Sequence, residues 1–467
     1  MPNTAKYESV PDRRDTATGT LPRRLGLWVA LAVVIGDVFG SAIFRVPSVI
    51  AGEAGSVTGI AVVWILGGII TLCGALSLGE LAAAIPRAGG VFVYLERAYG
   101  PAVGFLYGWT ILLAEPAGAA AIALVFAEYL GRMVPLTAAG VRLVAALAIV
   151  AIAAAGYRSV RGAGIIATAS TVCKVAALLV LVAAAFLLGN RASGAFADGA
   201  SSGGTGTSAG GIGLGLVTVL WAYTGWHDLS LVAGEVRDPG RILPRALGLG
   251  IGIVVMVYLA ANAAFLYLLP LDQLRHSPLV ASDAMTRVLG PAGADVVALL
   301  VMISVLGALN GSTLVNPRVF YGMALEGMFF QPLARVHPRF RTPHVAISTF
   351  ALLALVFVWT RSFDQLIESF VLGVWPFLAL SVLAVLVLRR REPELVRPYR
   401  VPGYPWVPLC FVLGTVAVVV SSLVQHPLTT LAGIALTLAG LPLYLLFKHR
   451  RSATTSPSPP TNNPRPS

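Results

Sequence analysis

The 467-residue chain is 57% hydrophobic and 12% charged, with a formal net charge of +12. Soluble domains carry about 25% charged residues, so half the usual solvated surface is missing and a water-soluble enzyme of this length is all but excluded. The 49 glycines and 30 prolines keep no three-residue period, and Cys73, Cys173 and Cys410 all sit inside apolar runs, which excludes a disulfide framework or a cysteine zinc cluster.

The composition predicts an all-α polytopic membrane protein. A polar N-tail, 1–24, precedes the first apolar run, which is too long for a signal peptide and has no cleavage site after it. A helix needs roughly 20 apolar residues to cross the hydrocarbon. Twelve such runs follow, near 27–50, 57–84, 99–130, 141–157, 163–188, 212–234, 243–269, 294–324, 343–360, 368–388, 407–424 and 428–447. They divide into a five-helix unit (25–188), a flexible loop (189–211), a second five-helix unit (212–388), and a connector with two further helices (389–447). A disordered tail, 448–467, ends the chain. With the N-tail placed in the cytoplasm, 25 of the 33 Lys and Arg residues fall on that side and 7 on the other, Lys174 lying within a span. The positive-inside rule then puts both termini in the cytoplasm. Basic residues confined to connectors encode orientation, so no nucleic-acid partner is expected.

Two runs are interrupted alike. The first contains Gly36-Asp37-Val38-Phe39-Gly40-Ser41-Ala42 at mid-depth, and the sixth contains Trp221-Ala222-Tyr223-Thr224-Gly225-Trp226-His227-Asp228. An offset of five spans is that of two inverted five-helix repeats, whose unwound backbone lines a cavity. Amides exposed at a half-helix start suit a carboxylate, and freed carbonyls suit an ammonium. Taken alone, Gly36-x-x-x-Gly40 is equally a small-residue packing face.

At these residues the sequence resembles the amino acid–polyamine–organocation permeases. Gly36 to Pro47 (GDVFGSAIFRVP) is similar to their first-helix signature. So are Pro86 to Pro101, Trp221 to Ala246, Pro317 to Pro343 and Arg397 to Pro408 to later blocks, in order, the last two being most like the L-type branch with its bacterial relatives. The resemblance implies a LeuT-type 5+5 fold with broken helices 1 and 6 and two peripheral helices. It implies sodium-independent movement of amino acids, by proton symport or exchange, across the cytoplasmic membrane. It assigns substrate binding to Gly36, Gly40, Ser41, Ala42, Trp221, Ala222, Thr224 and Gly225, with Trp221 as the aromatic gate. Where the signature has a third glycine this chain has Ala42, whose methyl narrows the pocket.

Charges at mid-depth cost at least ~2.5–3.5 kcal/mol each. Lys174, in the fifth run, matches the lysine that replaces a sodium ion in sodium-independent members, so it is assigned to coupling, with Asp37 as its candidate partner. Glu115, in the third run before Pro116, is a candidate for selectivity toward cationic side chains or else a hydrogen-bonded acid at the proline. His227 and Asp228 read as polar lining; Glu80 and Glu235 read as partners of arginines such as Arg87 and Arg237. No catalytic residue, metal site or cofactor is expected, because no nucleotide loop or metal-ligand spacing is present. The alternatives are a polyamine or other amine permease, a passive facilitator, and a membrane-embedded enzyme whose only acid pair would be Asp37 with Asp228.

Overall fold

Backbone polar groups in hydrocarbon must be satisfied within the chain, and for runs of this length the α-helix does so locally. The computed structural model describes residues 25–87, 89–158, 160–192, 196, 208–325 and 327–454, with the side chains of 160–173 and 449–454 outside that description. The N-tail, most of the 189–211 loop and the end of the C-tail lie outside the described residues. Among the described residues the fold is helical, with short 3₁₀ segments, one isolated bridge between Leu25 and Val236, and no strand.

In chain order α1 (Leu27–Val38), a 3₁₀ turn (Ala42–Phe44) and α2 (Val46–Ala54) share the first run. Then come α3 (Val57–Ala84), α4 (Val91–Tyr99), α5 (Pro101–Met133), α6 (Ala138–Arg158) and α7 (Val160–Leu188). The sixth run is divided into α8 (Ala209–Ala222) and a 3₁₀ segment (Trp226–Glu235). It is followed by α9 (Pro239–Leu268), α10 (Leu271–His276), α11 (Val280–Val315), α12 (Pro317–Leu325) and α13 (His344–Thr360). The chain ends with α14 (Phe363–Arg391), α15 (Trp406–Gln425), α16 (Pro427–Leu438) and α17 (Gly440–Thr454). Eight stretches of the described residues are long and apolar enough to cross a membrane. Of the remaining runs, the first and sixth are each split, His344–Thr360 is a shorter apolar helix, and α7 is described with its side chains only from Lys174 onward.

Start signals match the sequence chemistry. Ser56 and Ser208 accept the amides of Gly59 and Gly211 at the starts of α3 and α8, and Ser362 with Gln365 forms a capping box on α14. In α11 the helical dihedrals fail at Gly290 (φ 70°), just before Pro291, so its first turns are a separate piece. The outer surface is apolar: Trp28, Leu187 and Leu428 are each more than 80% exposed. In water such a surface would aggregate; in lipid it is the expected exterior.

α5 runs along α11 and α14, α3 along α9 and α8, and α1 along α9, which places the two broken runs side by side at the centre. The connector after α14 is pinned to the end of α3. Glu80, 1% exposed, accepts from Arg389 Nε and Nη2 at 2.8 and 2.6 Å and from the Val401 amide at 2.7 Å, with Arg397 at 3.6 Å. The place expected for Arg87 is taken by Arg389 and Arg397, since a buried carboxylate needs several donors at once and the last turn of α14 with the connector after it supplies them. Glu235 forms no ion pair among the described residues; its carbonyl accepts the Leu25 amide. Beside this clamp, the Arg97 guanidinium holds the Glu392 carboxyl below the usual carboxylate range.

Candidate functional site

The break in the first run is an inverse γ-turn centred on Phe39 (φ −68°, ψ 72°), with the Gly40 amide donating to the Val38 carbonyl at 2.6 Å. That bond engages one amide the sequence assigned to a carboxylate. What remains unengaged among the described residues is the pair of amides at Ser41 and Ala42 and the Ser41 hydroxyl, which is buried without a partner. A Cβ added at Gly40 would meet nothing nearer than the Val38 carbonyl oxygen at 3.9 Å, so this residue borders open space.

The second break lies directly against the first. Gly225 has φ 116°, and a Cβ there would come within 2.8 Å of both the carbonyl carbon and oxygen of Asp37. Only glycine combines that dihedral with that approach. Tyr258 of α9 links the two: its hydroxyl donates to the Val38 carbonyl at 2.8 Å, and the Ala222 carbonyl lies 3.3 Å away. Its ring meets Phe39, Trp64 and Tyr223 at centroid distances of 5.3 to 5.5 Å. At the sixth-run break Trp221 O accepts the Thr224 amide, while the Thr224 carbonyl has no donor among the described residues. The Thr224 hydroxyl donates to Leu220 O and accepts from Trp375 Nε1.

Lys174 is buried, and its ammonium donates to the Gly36 carbonyl in the last turn of α1. It makes no ion pair with Asp37 within 4 Å, although the two are in electrostatic range. Asp37 is exposed, one and two turns along α1 from Val33 and the exposed Val29. Asp228 is 31% exposed with His227 at 3.6 Å, and lies in electrostatic range of both Asp37 and Glu115. His227 itself is buried. Glu115 accepts from the Asn316 side-chain amide, which comes from the junction of α11 and α12. No capping bond from Glu115 to the backbone near Pro116 is present.

The opposite side of the break is closed. Arg45 pairs with Glu128 at 3.1 Å and lies 5.1 Å from the Phe363 ring centroid; Phe363 meets Trp221 edge-on at 5.7 Å. This layer joins α5, α14, α8 and the residue that precedes α2; Ser41 and Ala42, four and three residues before Arg45, are buried. Tyr258, Phe363, Asn316 and the Arg45–Glu128 pair were not legible as site residues. Of these, Arg45, Glu128 and Asn316 carried a signal, as charged or polar residues inside apolar runs.

Residues 25–443 match the amino acid permease family. The chain is 30% identical over 442 residues to the serine/threonine exchanger SteT of Bacillus subtilis, covering 94% of this chain and all of that one. It is 31% identical over 440 residues to the b(0,+)-type amino acid transporter 1 of Mus musculus, covering 92% and 89%. To the cystine/glutamate transporter of Homo sapiens it is 29% identical over 433 residues, covering 91% and 85%.

Proposed function

The chain belongs to the amino acid permease family, close to its bacterial and L-type members, and from that premise we propose that it moves amino acids through the paired break by alternating access. The observation that carries this reading is the juxtaposition of two helix interruptions. One offers two free amides and an orphan hydroxyl, and the other an unengaged carbonyl. A zwitterion supplies the matching acceptor and donor. In this reading the carboxylate rests on Ser41 and Ala42, the ammonium on Thr224 O, and the substrate side chain points across Gly40.

The split runs and shorter helices complete twelve crossings arranged as 5+5 inverted repeats plus two, with both termini cytoplasmic. On that orientation Trp221, Phe363, Arg45 and Glu128 close the external side, while Asp37 stays accessible from within. Alternating access then exchanges which side of the break is sealed. Lys174, bound to Gly36 O, occupies the place of a coupling cation and makes transport sodium-independent. Its proton relationship with Asp37 would couple uptake to protons, and without that coupling the same site supports exchange.

The carboxylates Asp37, Asp228 and Glu115 outnumber Lys174 around the break. They favour a cationic substrate side chain, which is also the observation that supports the amine-permease alternative. The test is uptake of radiolabelled amino acids into proteoliposomes preloaded with unlabelled amino acid, in sodium and in choline. Trans-stimulated, saturable uptake of equal rate in both media is expected. Competition by amino acids but not by their amides is expected as well, because an amide cannot use the Ser41 and Ala42 donors as a carboxylate does. Linear, non-saturating flux would replace the transporter by a facilitator.

A further inference from the structure

A cavity of about 350 Å³ lies away from the break, between α5, the end of α13, α14, α15 and α16. Its volume falls in the roughly 300–1,000 Å³ range of small-molecule sites. It is elongated along the helix axes: on α16 it runs from Thr429 to Leu438, about 14 Å at 1.5 Å per residue. The walls are chiefly aliphatic and aromatic, including Phe357, Leu372, Phe377 and Ile434, with hydroxyls from Ser369, Thr429 and Thr430 toward one end and from Thr110 and Thr437, in contact with each other, toward the other. Most of these hydroxyls are already bonded within the protein, so the long apolar walls favour an acyl chain over a compact polar solute.

One charged side chain lines it. Arg361, half-buried, follows the last turn of α13 and forms no side-chain hydrogen bond or ion pair among the described residues. A cation left unpaired at the rim of an apolar slot is costly unless an anion joins it. The same end holds the start of α16, whose N-cap residue His426 makes no side-chain cap but meets the Glu368 carboxylate at 3.2 Å; the first-turn amides and Thr429 supply donors, and Arg361 the net positive charge. Trp359, half-exposed two residues before Arg361, marks the depth of the membrane–water interface. Arg142 reaches the same place by donating to the Trp359 carbonyl.

We propose that this slot holds one acyl chain of an anionic glycerophospholipid, with its phosphate on Arg361 and the start of α16. Because lipid tails are as apolar as the slot walls, chain burial alone gives no preference for one lipid over another. Selectivity therefore resides in the headgroup, and Arg361 sets it. Gly433 faces the slot, and a Cβ added there meets nothing within 4 Å. Gly433→Phe is thus a way to fill the cavity without disturbing the fold.

The experiment is native mass spectrometry of the full chain, purified in mild detergent and titrated separately with phosphatidylglycerol and phosphatidylcholine of equal chain length. Wild type is expected to retain one phosphatidylglycerol at least tenfold more readily than phosphatidylcholine. Arg361→Gln should reduce that ratio to below threefold, Arg361→Lys should keep part of it, and Gly433→Phe should remove the bound lipid altogether while the melting temperature stays within a few degrees. Equal retention of the two lipids by wild type would overturn the proposal. So would an undiminished preference in Arg361→Gln, or a Gly433→Phe variant that changes the oligomeric state instead of the lipid count, which would make the slot a contact between copies.

Discussion

Gly225→Ala is the sharpest perturbation of the paired break, because two independent penalties meet at one position. At φ 116° a residue with a side chain occupies a sparsely populated backbone region, which costs of order 1–3 kcal/mol. The new methyl would also lie 2.8 Å from Asp37 C and O and 3.1 Å from the Val38 amide nitrogen. Those are backbone atoms, so relief requires separating the breaks by several tenths of an ångström, which also loosens the Tyr258 bonds to Val38 and Ala222. Taking the strain alone, 1–3 kcal/mol is roughly a 5- to 160-fold change in the population of the assembled break. The companion variant is Gly40→Val, whose added Cβ has 3.9 Å of clearance and an ordinary φ. The assay pairs melting temperature, with and without saturating amino acid, with exchange rate in proteoliposomes. Gly225→Ala should lower both the melting temperature and exchange, the latter at least tenfold. Gly40→Val should melt like wild type yet lose both exchange and the ligand-induced upshift, which arises only from binding to the folded state. Wild-type behaviour of Gly225→Ala would refute the close contact of the breaks, and normal exchange by Gly40→Val would remove the first-run break from the substrate path.

Three further outcomes follow from the same geometry. Trp221→Ala removes the ring that meets Phe363 and should slow exchange more than it weakens equilibrium binding; an unchanged exchange rate would end its role as a gate. Glu115→Gln keeps the contact with Asn316 and removes the charge, so the ratio of inhibition constants for cationic over neutral amino acids should rise, whereas an unaltered ratio would leave Glu115 as a structural acid. Lys174→Ala should abolish accumulation driven by an interior-negative potential, which adds ~2.3 kcal/mol per 100 mV for each charge moved, while leaving some exchange. A wild-type protein that requires sodium would overturn the assignment of Lys174 to coupling.

The residues that were legible share one property: their residue type is anomalous for its depth. Asp37, Glu115, Lys174 and Asp228 each place a charge where hydrocarbon would reject it, and Gly40 and Gly225 stand at breaks in runs that would otherwise continue as helix, Gly36 remaining inside α1. Such anomalies can be read locally. Partnership cannot, because Tyr258 is an ordinary aromatic in an apolar run until α9 crosses both breaks and brings its hydroxyl to Val38 O. Glu80 shows the same limit from the other direction. Sequence proximity favoured Arg87, yet a carboxylate with 1% exposure needs a bidentate guanidinium and an amide together, and the last turn of α14 with the connector after it presents them. The backbone at Gly40 shows a third limit. Breaking a helix frees amides in general, but the turn that makes the break consumes one of them, here by the Gly40 to Val38 bond. The donors left for a ligand are those one and two residues further on. If a carboxylate binds there, as proposed, the donors that receive it lie four and three residues before Arg45, whose guanidinium packs on Phe363 in the layer with Trp221, so release of the substrate requires that layer to move.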